Sequence, residues 1–84
     1  MSEVLDVVLN KWEMVCWHTP ETIDRIMINI RKRGMMLESL NYAKIDSERA
    51  VCTITFEDTP QSSDRIFSNM QRIQDIIEIK KLPN

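Results

Sequence analysis

The chain has 84 residues, enough for one domain, and a domain of that size buries a modest share of its surface and gains from pairing with another chain. Eleven Lys and Arg against thirteen Asp and Glu leave a net charge of −2, with the signs interspersed and no basic stripe to neutralise phosphates, so a nucleic-acid role is not expected. No apolar run approaches the roughly 20 residues of a membrane span, and a cytoplasmic protein without a membrane partner is expected.

Residues 1–10 are acidic and lack the positive start and small-residue cleavage site of a signal peptide. Val4, Leu5, Val8 and Leu9 could line a short helix, or the same run could add an edge strand. This stretch is taken as an N-terminal extension and residues 11–82 as the domain. Within it, Trp12, Met14 and Cys16 alternate with Glu13, Val15 and Trp17, which predicts a strand with one buried face. Thr19-Pro20-Glu21-Thr22-Ile23-Asp24-Arg25-Ile26 reads as a helix start, with Thr19 as N-cap and Pro20 at the first helical position. Ile23, Ile26, Met27 and Ile30 make one helical stripe. Arg31-Lys32-Arg33 and then Gly34 end it, cations at the negative end of the dipole and glycine as the stop.

Residues 35–43 are extended, with Met35 and Leu37 on one parity and Leu40 and Tyr42 on the other. That slip predicts a bulge near Glu38 and Ser39. Residues 44–48 are polar and suit a hairpin loop. Cys52, Ile54 and Phe56 alternate with Thr53, Thr55 and Glu57 in a second inner strand. Thr59-Pro60-Gln61-Ser62-Ser63-Asp64-Arg65-Ile66 then repeats the first helix start at an offset of 40 residues, followed by a stripe of Ile66, Phe67, Met70 and Ile73. Ile76, Ile77 and Ile79 supply a last strand. Two strand-helix-strand units predict an α+β, ferredoxin-like βαββαβ sandwich: four antiparallel strands, two helices on one face, right-handed crossovers.

Residues that could carry catalysis are sparse. Gly34 is the single glycine, so no phosphate-cradling loop exists, and His18 is the single histidine. By parity His18 ends the inner face of the first strand, either as a structural histidine or as a polar wall of a pocket. Cys16 and Cys52 fit neither zinc nor redox spacing and read as small buried thiols. The acidic side chains read mostly as solvated surface charge. An acylphosphatase-type enzyme would need Arg and Gly where His18-Thr19-Pro20 stands, and an RNA-binding sheet would need more than Trp17 beside Glu13 and Glu57.

Residues 16–25 resemble the first strand-to-helix turn of ACT domains. Residues 33–40, R-G-M-M-L-E-S-L, resemble the R-G-(x)3-E-S-L segment of acetolactate synthase (acetohydroxyacid synthase) small subunits, and Ile73-x-x-Ile76-x-x-Ile79 resembles their closing strand. Pro20-Glu21 stands where ACT regulators usually have Pro-Gly, and the chain ends at Asn84 where many such subunits continue. Both features resemble the short small subunit of the valine-insensitive isozyme form.

The resemblance implies a non-catalytic regulatory or activating small subunit in branched-chain amino-acid biosynthesis. Its partner would be the large catalytic chain, which would carry thiamine diphosphate, FAD and magnesium; this chain would carry no cofactor or metal. The second strand of the fold is a sheet edge with unpaired backbone groups, so a homodimer joined there is expected, its seam formed by Met35, Met36, Leu37, Glu38, Ser39 and Leu40. The first helix tip would then receive the carboxylate of a branched-chain amino acid among His18, Thr19, Pro20, Glu21, Thr22 and Ile23, with its side chain on Leu37 or Leu40 of the partner. Val15 and Trp17 point away from the helices and are candidate anchors for the large subunit. A free-standing ACT amino-acid sensor serving another enzyme is the alternative.

Overall fold

The two alternating runs become the two central strands, because only a strand covered on one face explains a period of two. A computed structural model describes residues 7–83. The elements run β1 (Val8–Trp17), α1 (Thr22–Lys32), β2 (Leu37–Lys44), β3 (Arg49–Asp58), α2 (Pro60–Met70) and β4 (Ile76–Leu82). The sheet order is β2-β3-β1-β4, with all three neighbouring pairs antiparallel. This is the expected ferredoxin-like sandwich, with β2 and β4 as the edges. Val8, Leu9 and Asn10 simply lengthen β1 and pair with β3 opposite Asp58, Glu57 and Phe56, so the strand begins ahead of residue 11. Val4 and Leu5 lie outside the described residues.

Register places Trp12 against Ile54, Met14 against Cys52 and Cys16 against Ala50. These side chains and Phe56 join Ile26 and Ile30 of α1 and Ile66 and Met70 of α2 in one core. Both helices therefore cover the same sheet face. Trp12 is fully buried at its centre, edge-on to Phe56 at 4.8 Å and to Phe67 at 5.2 Å between ring centroids. The expected bulge is present: the β2–β3 register shifts between Leu37 and Ser39, at Glu38.

The two helix starts, alike in sequence, differ in space. Thr59 caps α2 as expected, its Oγ1 accepting from the Ser62 N–H at 3.3 Å, with Pro60 in the first turn. Thr19 does not cap α1, and Pro20 precedes the helix: the N-cap is Glu21, without a side-chain cap bond. The cause is Thr22. Its hydroxyl donates to the Trp17 carbonyl at 2.6 Å and accepts from the Thr19 N–H at 3.2 Å, while the Thr22 N–H donates to the Thr19 carbonyl at 3.2 Å. These bonds close a turn over residues 19–22 and delay the helix. Buried Thr22 thus joins Ile26 and Ile30 on the inner stripe, Ile23 is half-buried, and Met27 is exposed. In the second copy α2 ends at Met70, so Ile73 packs on the core from the following turn. Gly34 ends α1 at φ 69°, where its N–H and that of Met35 reach back to the carbonyls of Arg31 and Ile30.

Both cysteines are fully buried. Burial, and then the neighbouring Cys16, pushes the Cys52 thiol up to about 12; burial, and then the charge of Asp75, raises Cys16. A raised thiol pKa in the folded state means that unfolding releases protons at alkaline pH. The associated stability is intact below the ordinary thiol value of 9.0 and drains away as pH rises from there toward about 12. The native protein is expected to react with a thiol-specific disulfide reagent at pH 7.5 only as fast as it opens. Immediate labelling of both thiols without denaturant would contradict this.

Candidate functional site

The β1–α1 junction is the most constructed part of the surface. β1 ends at Trp17, whose N–H donates to the Asp75 carbonyl at 2.9 Å, and the His18 N–H donates to the Glu48 carbonyl at 2.7 Å. Three chain segments are thereby tied at one end of the sheet. Exposed His18 holds Tyr42 of β2 through Nδ1 and Oη, 2.9 Å apart, with the rings tilted at 37° and centroids 5.8 Å apart. Burial first, then the nearby thiols and Asp75, raises the Tyr42 hydroxyl, which keeps it protonated at neutral pH. Behind the turn, Arg25 Nη1 donates to Asp75 Oδ2 at 2.6 Å, and the Asp75 side chain is only 7% exposed. Sequence reading took the acidic residues mostly as solvated and missed this pair, as it missed Tyr42. Neither has a local signature, since the partners lie 50 and 24 residues apart.

At the start of α1 the N–H groups of Ile23 and Asp24 have no acceptor among the described residues, which leaves a positively polarised tip. Glu21 occupies that tip at φ −91°, a backbone angle open to any residue, so no strain demands glycine there. Its side chain makes no cap bond to these N–H groups, and its negative charge beside the tip disfavours a second anion. Of the expected ligand residues, the structure brings His18, Thr19, Pro20, Glu21 and Ile23 to the surface around the tip. Thr22 is wholly buried and its hydroxyl is committed to the turn.

The β2 edge is open. Met36 is 80% exposed just before the strand, and Glu38 and Ser39 are exposed on it. Met35, Leu37 and Leu40 pack instead against their own core. Any seam here is therefore built from backbone together with Met36, Glu38 and Ser39, and less from apolar side chains than the sequence suggested. On the sheet face away from the helices, register aligns Ala43, Val51, Val15 and Glu78 in one row. Val15 is half-buried, and Trp17 beside it is 46% exposed.

Among the described residues no three His, Cys, Asp or Glu side chains converge on a metal-sized space, and no helix is long and apolar enough to cross a membrane. The absence of a basic stripe, read along the chain, does not survive folding. Arg25, Arg33, Arg65 and Arg72, dispersed in sequence, line the groove between the two helices.

No protein-family model matches the sequence, and no curated protein matches it by sequence. Solved structures do match the fold. The ACT domain of the GTP pyrophosphokinase of Chlorobium tepidum is 13% identical with a TM-score of 0.80, over 93% of this chain and 89% of that one. The acetolactate synthase small subunit of Thermotoga maritima is 9% identical with a TM-score of 0.82, over 90% of this chain and 48% of that one. The regulatory subunit of aspartate kinase of Thermus thermophilus is 12% identical with a TM-score of 0.72, over 95% of this chain and 54% of that one. The chain has the ACT-type ferredoxin-like fold.

Proposed function

We propose that this chain is a non-catalytic regulatory small subunit that activates a cytoplasmic acetolactate synthase, of the valine-insensitive kind. The observation that carries the reading is the pairing of an open β2 edge with a polarised helix tip whose N-cap is the acidic Glu21, on an ACT fold. A pair of chains joined edge to edge would make one eight-stranded sheet. The tip of one chain would then approach β2 of the other, where an amino-acid effector could bridge the two. Glu21 opposes an incoming carboxylate, so activation rather than feedback inhibition is the expected role. Val15 and Trp17, on the uncovered sheet face, would anchor the catalytic chain, to which thiamine diphosphate, FAD and magnesium belong. This chain's own contribution would be to hold that partner in a competent shape; it binds no reacting atoms.

Mixing the full chain with the purified large subunit of an acetolactate synthase from the same source is expected to raise its rate and yield a co-eluting complex. An unchanged rate with no co-elution would remove the subunit reading. A second reading, a free-standing sensor for another enzyme, draws support from the equally good match to the ACT domain of a GTP pyrophosphokinase. Calorimetry separates the two: tight binding of valine, leucine or isoleucine by the isolated chain favours the sensor, and silence favours the activator.

A further inference from the structure

The fold separates charge that the sequence intermixes. Residues 22–33 and 60–72, which are the two helices and the positions just after them, carry six cations (Arg25, Arg31, Lys32, Arg33, Arg65 and Arg72) and two anions (Asp24 and Asp64). The rest of the chain carries five cations and eleven anions. Within the helical layer the charge is further focused. Arg25, Asn29 and Arg33 recur every four residues along α1, and Arg65, Asn69 and Arg72 recur at three- and four-residue spacing along α2. The two stripes flank two adjoining open troughs that share Arg33 and Asn69.

No carboxylate lines these troughs. Asp64 is held by Lys81 at 2.5 Å, and Asp24 lies on another flank of α1 beside Met27, Ile28 and Arg31. Arg25 is spent on Asp75, but Arg33, Arg65 and Arg72 make no ion pair among the described residues. Arg33 Nε is buried without an acceptor among the described residues. Arg33 also lines both troughs, so its guanidinium is placed to pair with an anion there.

We propose that the α1–α2 groove is a docking site for an acidic polypeptide segment of a partner protein, and this stands whether or not that partner is the synthase. Guanidinium forks match carboxylates in paired geometry. Each helix has 11 residues, so the groove runs about 16 Å, long enough for several carboxylates of one segment. It is open along its length, so a lone small anion would be contacted on one side only and compete with water, whereas a segment bearing several carboxylates binds at all three arginines together. A nucleic acid fits less well. No aromatic ring lines the groove to stack on a base, and the eleven acids elsewhere repel a long polyanion. The groove lies on the opposite face from Val15 and Trp17, so it is a surface separate from the one proposed above.

Titration of the full chain with hexaglutamate at low salt, followed by NMR, is expected to shift the Nε–H signals of Arg33, Arg65 and Arg72 and the amides of the two facing stripes. The binding should weaken as salt is added. R33Q/R65Q/R72Q should lower the affinity at least tenfold with an unchanged thermal midpoint, while the charge-matched R31Q/K32Q/K44Q should stay within about twofold of the parent. Three results would overturn the proposal: shifts confined to other surfaces or absent, equal response of the same arginines to inorganic phosphate at the same concentration, or tighter binding of a ten-nucleotide oligothymidylate than of the peptide.

Discussion

Replacing Trp12 with alanine is expected to remove about 3–5 kcal/mol of stability, a large part of the roughly 5–15 kcal/mol that holds a domain together. Trp12 ties the sheet to the second helix. Trp12 lies on the central strand β1, opposite Ile54 of β3 and Lys81 of β4, and its ring meets Phe56 of the sheet and Phe67 of α2 edge-on. Removing it opens a cavity between the sheet and the second helix that neither layer can close, because β1 is fixed on both sides by its neighbours. Urea denaturation is the measurement, with the midpoint falling at unchanged slope. Trp12→Phe serves as the control. The indole Nε1 is buried without an acceptor among the described residues, so losing that N–H offsets part of the lost volume, and the cost should be near 1 kcal/mol. A fully folded alanine variant of parental midpoint would show that the two layers are held together elsewhere.

The second large effect concerns self-association. Introducing lysine at both Ser39 and Asn41 is expected to weaken pairing of two chains at least about tenfold. Both residues lie on the uncovered face of β2, opposite Thr55 and Thr53 of β3, and neither belongs to the core. In a twofold antiparallel pairing of β2 with β2 these positions come together near the axis, so the substitutions set like charges across the seam, a device natural edge strands use against pairing. Leu37, Leu40 and Tyr42 keep their places on the inner side, and the one bond lost among the described residues is the exposed hydroxyl pair of Ser39 and Thr55, so the circular dichroism should not move and the thermal midpoint should fall only slightly. Sedimentation equilibrium would read the change. A parent chain that is monomeric at every concentration would remove the edge-paired dimer and, with it, the two-chain effector site.

Much of this architecture was legible in the sequence because its causes are local. Alternation at Trp12, Met14 and Cys16 and at Cys52, Ile54 and Phe56 marks the inner faces of β1 and β3. The 40-residue echo of Thr-Pro and Asp-Arg-Ile marks the doubled unit, Gly34 marks the end of α1, and the parity slip marks the bulge at Glu38. Each depends on residues a few positions apart, where strand and helix periods act directly. The same locality misled where tertiary partners intervened. Thr19 and Thr59 stand in like surroundings, yet only Thr59 caps its helix, since Thr22 is drawn into the core and bonds back to Trp17.

The sequence by itself determined the order of elements, the buried faces and the ferredoxin-like class. Only the tertiary structure decided the contacts made across long stretches of chain: His18 with Tyr42, Arg25 with buried Asp75, the retreat of Leu37 and Leu40 from the β2 edge, and the gathering of arginines between α1 and α2. The reason is physical. Period and propensity act over neighbours in the chain, whereas an electric field and a hydrogen bond depend on distance in space, and a net charge of −2 says nothing of how its 24 charged side chains are distributed once the chain has folded.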